Sequence, residues 1–142
     1  MGRYWFVLSI ILVFTFSTSG CFGTTDSYYY SVEDTDDPNT IETSDILFSL
    51  TLKDDGGVDM DISDLVVIIK YSGTHTCSTS GTEGNCTVVQ PAESDDSIWE
   101  IGETLNIIEN GVNICSQHCI LAFSVDGPED AKVVGPTILN IT

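Results

Sequence analysis

Beyond residue 45 the apolar positions fall on every second residue, and that spacing predicts strands rather than helices. Ile46, Phe48, Leu50 and Leu52 alternate with Leu47, Ser49, Thr51 and Lys53, as in a strand with one face turned to a core. After the turn cluster Asp54, Asp55, Gly56, Gly57 comes the run Leu65, Val66, Val67, Ile68, Ile69. Short and β-branched, it predicts a central strand buried on both sides. Cys86 to Gln90 predicts a further strand, followed by a loop over Pro91 to Ser97. Leu105 to Ile108 and Val112 to Ile114 flank Asn110-Gly111, a dipeptide tolerant of positive φ, and predict a tight hairpin. Cys119, Leu121, Phe123 and Val125 alternate again, Gly127-Pro128 turns the chain, and Val133, Val134 and Ile138 to Ile141 supply the closing strands. No stretch combines helical spacing with caps. Seven or eight short strands predict an all-β fold, an Ig-like two-sheet antiparallel β-sandwich over residues 46–142.

The first 45 residues follow a different pattern. Arg3 is the only charge before an almost wholly apolar run from Tyr4 to Phe16, and Ser17, Thr18, Ser19, Gly20 lead into Cys21. The run is shorter than the roughly 20 residues that cross a bilayer comfortably, so cleavage of an export signal over residues 1–20 is expected. Small residues ending in a cysteine resemble the leader and lipobox of prokaryotic lipoproteins, although Thr18 stands where that family usually has Leu. The resemblance implies cleavage before Cys21 and attachment of a lipid to its thiol. From Phe22 to Asp45 the chain carries Asp26, Glu33, Asp34, Asp36, Asp37, Glu42 and Asp45 with no basic residue, so residues 21–45 are expected to form an acidic tether. Within it, Tyr28, Tyr29 and Tyr30 are expected to begin a short strand or to lie against the domain or the membrane interface.

Charge narrows the partners. The chain has 22 acidic and four basic side chains, for a formal net charge of −18, and beyond Cys21 the basic residues are Lys53, Lys70 and Lys132. That balance repels phosphate backbones and argues against nucleic acid. It equally opposes docking on anionic head groups, so a lipid would have to hold the protein to a membrane. Removal of residues 1–20 leaves a chain long enough for one domain with a modest core.

Five cysteines are an odd number, and Cys21 lies far from the other four. In a chain bound for an oxidising compartment, Cys77, Cys86, Cys115 and Cys119 are expected to be disulfide-bonded. Three connectivities are possible. Cys77 with Cys86 and Cys115 with Cys119 is favoured, because each pair brackets a short polar loop with no apolar core of its own.

A second resemblance rests on the segments DDGGVDMDISDLVVIIK, WEIGETLNIIENG, CILAFSV and KVVGPTILNI. They resemble the globular β-sandwich of archaeal type IV pilins and archaellins over about Ile46 to Thr142. On the matching positions Gly56, Gly57 and Asp59 would form a turn before a hydrophobic strand, and Gly102-Glu103 would open a later strand. That family feeds a charged leader into a long hydrophobic helix that builds a filament core. Here the small-residue stretch and Cys21 stand in its place, so the resemblance implies an anchored, pilin-like surface domain, with a filament subunit as an alternative.

Three constellations could carry chemistry. Asp54, Asp55, Asp59, Asp61 and Asp64 offer hard oxygen ligands of the kind calcium takes, but they miss the EF-hand spacing and read as a solvated turn. His75 followed by Cys115 and His118 resembles the ligand order of cupredoxins, whose thiolate and imidazoles suit copper. Cys119 to Phe123 lacks the axial Met of that family, and Cys119 would oxidise with Cys115, so a copper electron-transfer protein is the competing reading and no metal or other cofactor is expected. Serines, aspartates and histidines are present without a Gly-x-Ser-x-Gly elbow, so no catalytic residues are expected. Asn85-Cys86-Thr87 and Asn140-Ile141-Thr142 match the N-glycosylation pattern; Asn85, inside the proposed disulfide loop, is the favoured acceptor, whereas Asn140 falls in a closing strand where burial is expected.

Together these readings predict a lipid-anchored, disulfide-stapled, non-enzymatic β domain on the extracellular face of the cell membrane. Its expected role is binding, to a cell-envelope protein or glycan, or structural support of the envelope.

Overall fold

The computed structural model describes residues 29–34, 39–55, 60–81, 83–91, 97–128 and 132–142. The leader, Cys21 and the turn residues Gly56, Gly57 and Asp59 lie outside them. The described chain is all-β, as the alternating pattern predicts. Its strands are β1 (Tyr29–Asp34), β2 (Ile46–Asp54), β3 (Val66–Lys70), β4 (Thr74–Ser78), β5 (Cys86–Val89), β6 (Thr104–Glu109), β7 (Cys119–Asp126) and β8 (Lys132–Ile141), with one 3-10 turn at Ile62–Asp64. They join in the single order β1-β2-β6-β5-β4-β3-β7-β8. This mixed sheet curls until it nearly closes into a barrel, so the two layers that face each other belong to one continuous ladder.

Alternation sets which side chains fill the interior. Leu105, Ile107 and Glu109 of β6 point inward, as do Cys119, Leu121, Phe123 and Val125 of β7. β2 and β7 are not neighbours in the sheet, yet the Phe48 and Phe123 rings meet at 4.6 Å between centroids and 39° between planes. The interior is therefore packed from wall to wall. Each such side chain removed from water contributes about 1.5–3 kcal/mol. Trp99 is the largest fully buried side chain, and its indole Nε1 donates to the Glu103 carbonyl at 2.9 Å, which satisfies the one polar atom that its burial would strand.

The ordered sheet begins inside the acidic stretch. Tyr30 and Val32 of β1 pair with Leu52 and Leu50 of β2 and pack on the core, which is why a segment with so much charge still holds a strand. At the other edge β8 pairs, among the described residues, only with β7. β1 and β8 approach without joining the ladder, and side chains latch the seam. The Asp34 Oδ2 atom accepts from the Thr142 N–H at 2.9 Å and from its hydroxyl at 2.7 Å, while Tyr30 and Thr137 share a longer hydroxyl contact of 3.4 Å.

Three local expectations change. The hairpin around Asn110-Gly111 does not form: residues 110–118 hold no strand, and β6 leads instead to β7, which pairs with β3 and β8. The backbone N–H groups of Ile114 and Cys115, which a strand would give to a neighbour, go to the Glu109 carboxylate. The run Leu65–Ile69 is buried on one face only, since Val66 is 43% exposed and Ile68 half-buried. Its outer neighbours are the outward faces of β4 and β7, and among the described residues no second layer covers them. Finally, the two closing strands are one: β8 runs from Lys132 through Pro136 to Ile141, its register shifting opposite Phe123 to Asp126.

Candidate functional site

Both disulfides lie at one end of the sheet, where the segments 39–45, 79–81, 83–85 and 110–118 meet. Loops held on a rigid scaffold are where recognition usually resides. β4 and β5 form the parallel contact of this sheet, with Cys77 opposite Cys86 and Ser78 opposite Thr87. Parallel strands ordinarily need a crossover of a dozen or more residues. Here the overlap is two residue pairs, so the chain leaves β4, makes a short excursion and returns at the same height. The Cys77–Cys86 bridge closes its base, with Cα atoms 4.4 Å apart.

Gly84 makes the return possible. Its φ is +87°, and a Cβ there would lie 2.6 Å from the Thr76 carbonyl oxygen. Beside it, Asn85 is half-buried and its Nδ2 donates to His75 Nδ1 at 2.9 Å, while His75 Nε2 bonds the Tyr71 carbonyl at 3.2 Å. An accepting Nδ1 places the imidazole proton on Nε2. Asn110 ties the excursion to β6 through its N–H to the Asn85 carbonyl and its Nδ2 to the Gly84 carbonyl.

Glu109 is the unexpected member. It is 2% exposed and sits opposite Cys86 in the β5·β6 register. Its Oε1 accepts from the N–H groups of Ile114 at 2.6 Å and Cys115 at 2.9 Å; its Oε2 is buried with no hydrogen-bond partner among the described residues. Burial pushes its pKa above the ordinary carboxyl value and the nearby Asp45 adds to this, against the two N–H bonds and His75, which act in the other direction. The signal was present in the sequence, since Leu105, Ile107 and Glu109 share one period-two face. Asn113 then clamps the next segment, its Nδ2 donating to the carbonyls of Thr40 and Glu42.

Cys115 and Cys119 form the second bridge, as the favoured connectivity has it. Between them Ser116, Gln117 and His118 are exposed, and across the same end stand Ile41, 82% exposed, and Val112. The result is a stapled, largely polar loop cluster with two apolar tips, a surface suited to contact with another macromolecule.

The copper constellation is not brought together. The Cys115 sulfur is bonded to Cys119, His118 points to solvent, and both nitrogens of His75 are engaged. Among the described residues, no three His, Cys, Asp or Glu side chains group as a metal site. In the acidic cluster, Asp61 caps the 3-10 turn: its Oδ1 accepts from the Ser63 N–H at 2.8 Å, and that bond lowers its pKa. Asp64 lies exposed in the same turn. Gly102, at φ +92°, and Glu103 form a corner in which Gly102 N–H donates to the Leu52 carbonyl and the Glu103 carboxylate accepts from Glu100 N–H and Gln90 Nε2. A hollow lined by Ile68, Lys70, Ala122 and Pro136 has a volume near 30 Å³, enough for a water or two and far below a small-molecule pocket. Among the described residues no helix is long and apolar enough to cross a membrane.

No known family model matches this chain, and a search of curated proteins finds no match.

Proposed function

We propose that this protein is a cell-surface lipoprotein, held to the outer face of the cell membrane by a lipid on Cys21, whose β domain acts by binding or by supporting the envelope and not by catalysis. The observation that carries this reading is the use of the cysteines. Four are spent in two bridges, and the fifth, Cys21, follows an apolar leader and four small or hydroxylated residues. Disulfides fit an exported protein. With a net charge of −18 the chain has no electrostatic hold on an anionic membrane, so attachment falls to the lipid. Residues 22–28 link Cys21 to β1, and the stapled loop cluster with Ile41 and Val112 at its tips is the surface offered to an envelope protein or glycan.

Partition between detergent and aqueous phases tests the anchor. The wild-type protein from its native cells is expected in the detergent phase and in the membrane fraction, and Cys21→Ser in neither. Equal membrane association of the two forms would refute lipid attachment at this position.

A further inference from the structure

We infer that Asn140 is the acceptor of an N-linked glycan, and that this glycan covers the apolar outer face of β7 and β8. The proposal rests on the export reading above, because glycan transfer of this kind takes place on exported chains.

Asn140-Ile141-Thr142 has the acceptor pattern, and its outer residues are presented rather than buried. Asn140 and Thr142 are exposed, while Ile141 between them points into the core at 0% exposure. The Thr142 hydroxyl donates to Asp34 across a seam latched by side chains, so it becomes available whenever that seam opens. Asn85, the other candidate, is placed differently. Its Nδ2 is held by His75 inside an excursion whose base the Cys77–Cys86 bridge closes.

The surface around Asn140 calls for a cover. Ile120 is its direct cross-strand partner and is 67% exposed; Ile138, two residues along the same face, is 74% exposed. Cross-strand neighbours stand about 5 Å apart and i, i+2 neighbours about 7 Å, so one sugar ring reaches both. Further along, Ala122 lies opposite Ile138 and Lys70, Ser124 opposite Ile68, and Asp126 opposite Val66 and Lys132, so the exposed apolar patch is centred on Ile120 and Ile138. Ile120 and Ile138 thus present adjacent hydrocarbon to water on one sheet face. β8 is also an edge strand, and a bulky hydrophilic group on it blocks edge-to-edge pairing with other chains.

The chemistry is a glycosyl transfer without redox change. The donor is an oligosaccharide joined through its anomeric carbon to a polyprenyl phosphate or diphosphate. Asn140 Nδ2 forms a bond to that carbon, the carbon–oxygen bond to the phosphate breaks, the lipid phosphate leaves with the electron pair, and a base of the transferase takes one amide proton.

Mass mapping of proteolytic peptides from the native protein tests this. The expected result is a glycan mass on the peptide containing Asn140, lost in both Asn140→Gln and Thr142→Ala and kept in Asn85→Gln. The second variant removes the acceptor pattern while leaving Asn140 in place, so a folding failure in one does not decide the outcome. A bare Asn140, or sugar on Asn85 alone, would overturn the proposal. The same map reads the N-terminus. A lipid-modified Cys21 with a bare Asn140 rejects the glycan and leaves the anchor standing, whereas a glycosylated Asn140 on a chain that starts at Met1 supports the glycan and rejects the anchor.

Discussion

Cys77 and Cys86 are direct partners across the parallel β4·β5 contact, with Cα atoms 4.4 Å apart and their sulfurs joined. The bridge therefore acts where the sheet is weakest. Two residue pairs hold β4 to β5, and without that junction the sheet would divide into the halves β1-β2-β6-β5 and β4-β3-β7-β8.

Removing this bridge is expected to cost more than removing the other. In the chain-entropy account a loop of about ten residues is worth about 3 kcal/mol and one of about five residues about 2 kcal/mol. The double variant Cys77→Ala/Cys86→Ala should lose about 3 kcal/mol in urea unfolding, and Cys115→Ala/Cys119→Ala about 2 kcal/mol. A reversed order would show that the β4·β5 junction does not depend on its staple.

Gly84→Ala should destabilise by about 2 kcal/mol or more, because left-handed strain adds to the contact of a Cβ with the Thr76 carbonyl at 2.6 Å. Gly111→Ala is the control. Its φ of +69° is also left-handed, but nothing lies within 4 Å, so about 1 kcal/mol is expected. Thermal unfolding of the two variants separates the contact from the strain.

Glu109 makes stability depend on pH in a stated direction. Its pKa in the folded protein is raised above the ordinary 4.5, so folding favours the protonated acid. The stabilisation is complete below pH 4.5 and is lost as pH rises through the higher folded value. Glu109→Gln keeps an acceptor for the Ile114 and Cys115 N–H groups and cannot ionise. The wild-type advantage over this variant should therefore shrink as the pH rises above 4.5. A constant difference would mean that Glu109 titrates as in an unfolded chain.

Asp34→Ala should loosen the seam. It removes the acceptor of both Thr142 bonds, at a cost of about 1 kcal/mol, and hydrogen exchange at Thr142 should speed up before exchange in β6 changes.

Much of the fold was legible because period-two alternation is a direct consequence of burying one strand face. Phe48 to Lys53 and Cys119 to Val125 declared themselves in this way, whereas a register shift at Ile46–Phe48 buries Leu47, which the alternation turned outward; the short polar loops favoured the correct sulfur pairs. The uniform run Leu65–Ile69 gave no such contrast, so its exposed outer face, with Val66 and Ile68, was hidden. The Asn110-Gly111 turn signal was local, and the Glu109 carboxylate overrode it by capturing the N–H groups of Ile114 and Cys115. Asn140 was misread for a related reason: a strand position says nothing of which face it occupies until the register with Ile120 is known.

The intact mass of the N-terminal peptide, taken from protein purified out of its own membranes, bears most directly on the central claim. The account predicts a chain beginning at Cys21 with an added acyl-glycerol mass on that residue. A chain beginning at Met1, or a Cys21 of unmodified mass, would contradict it.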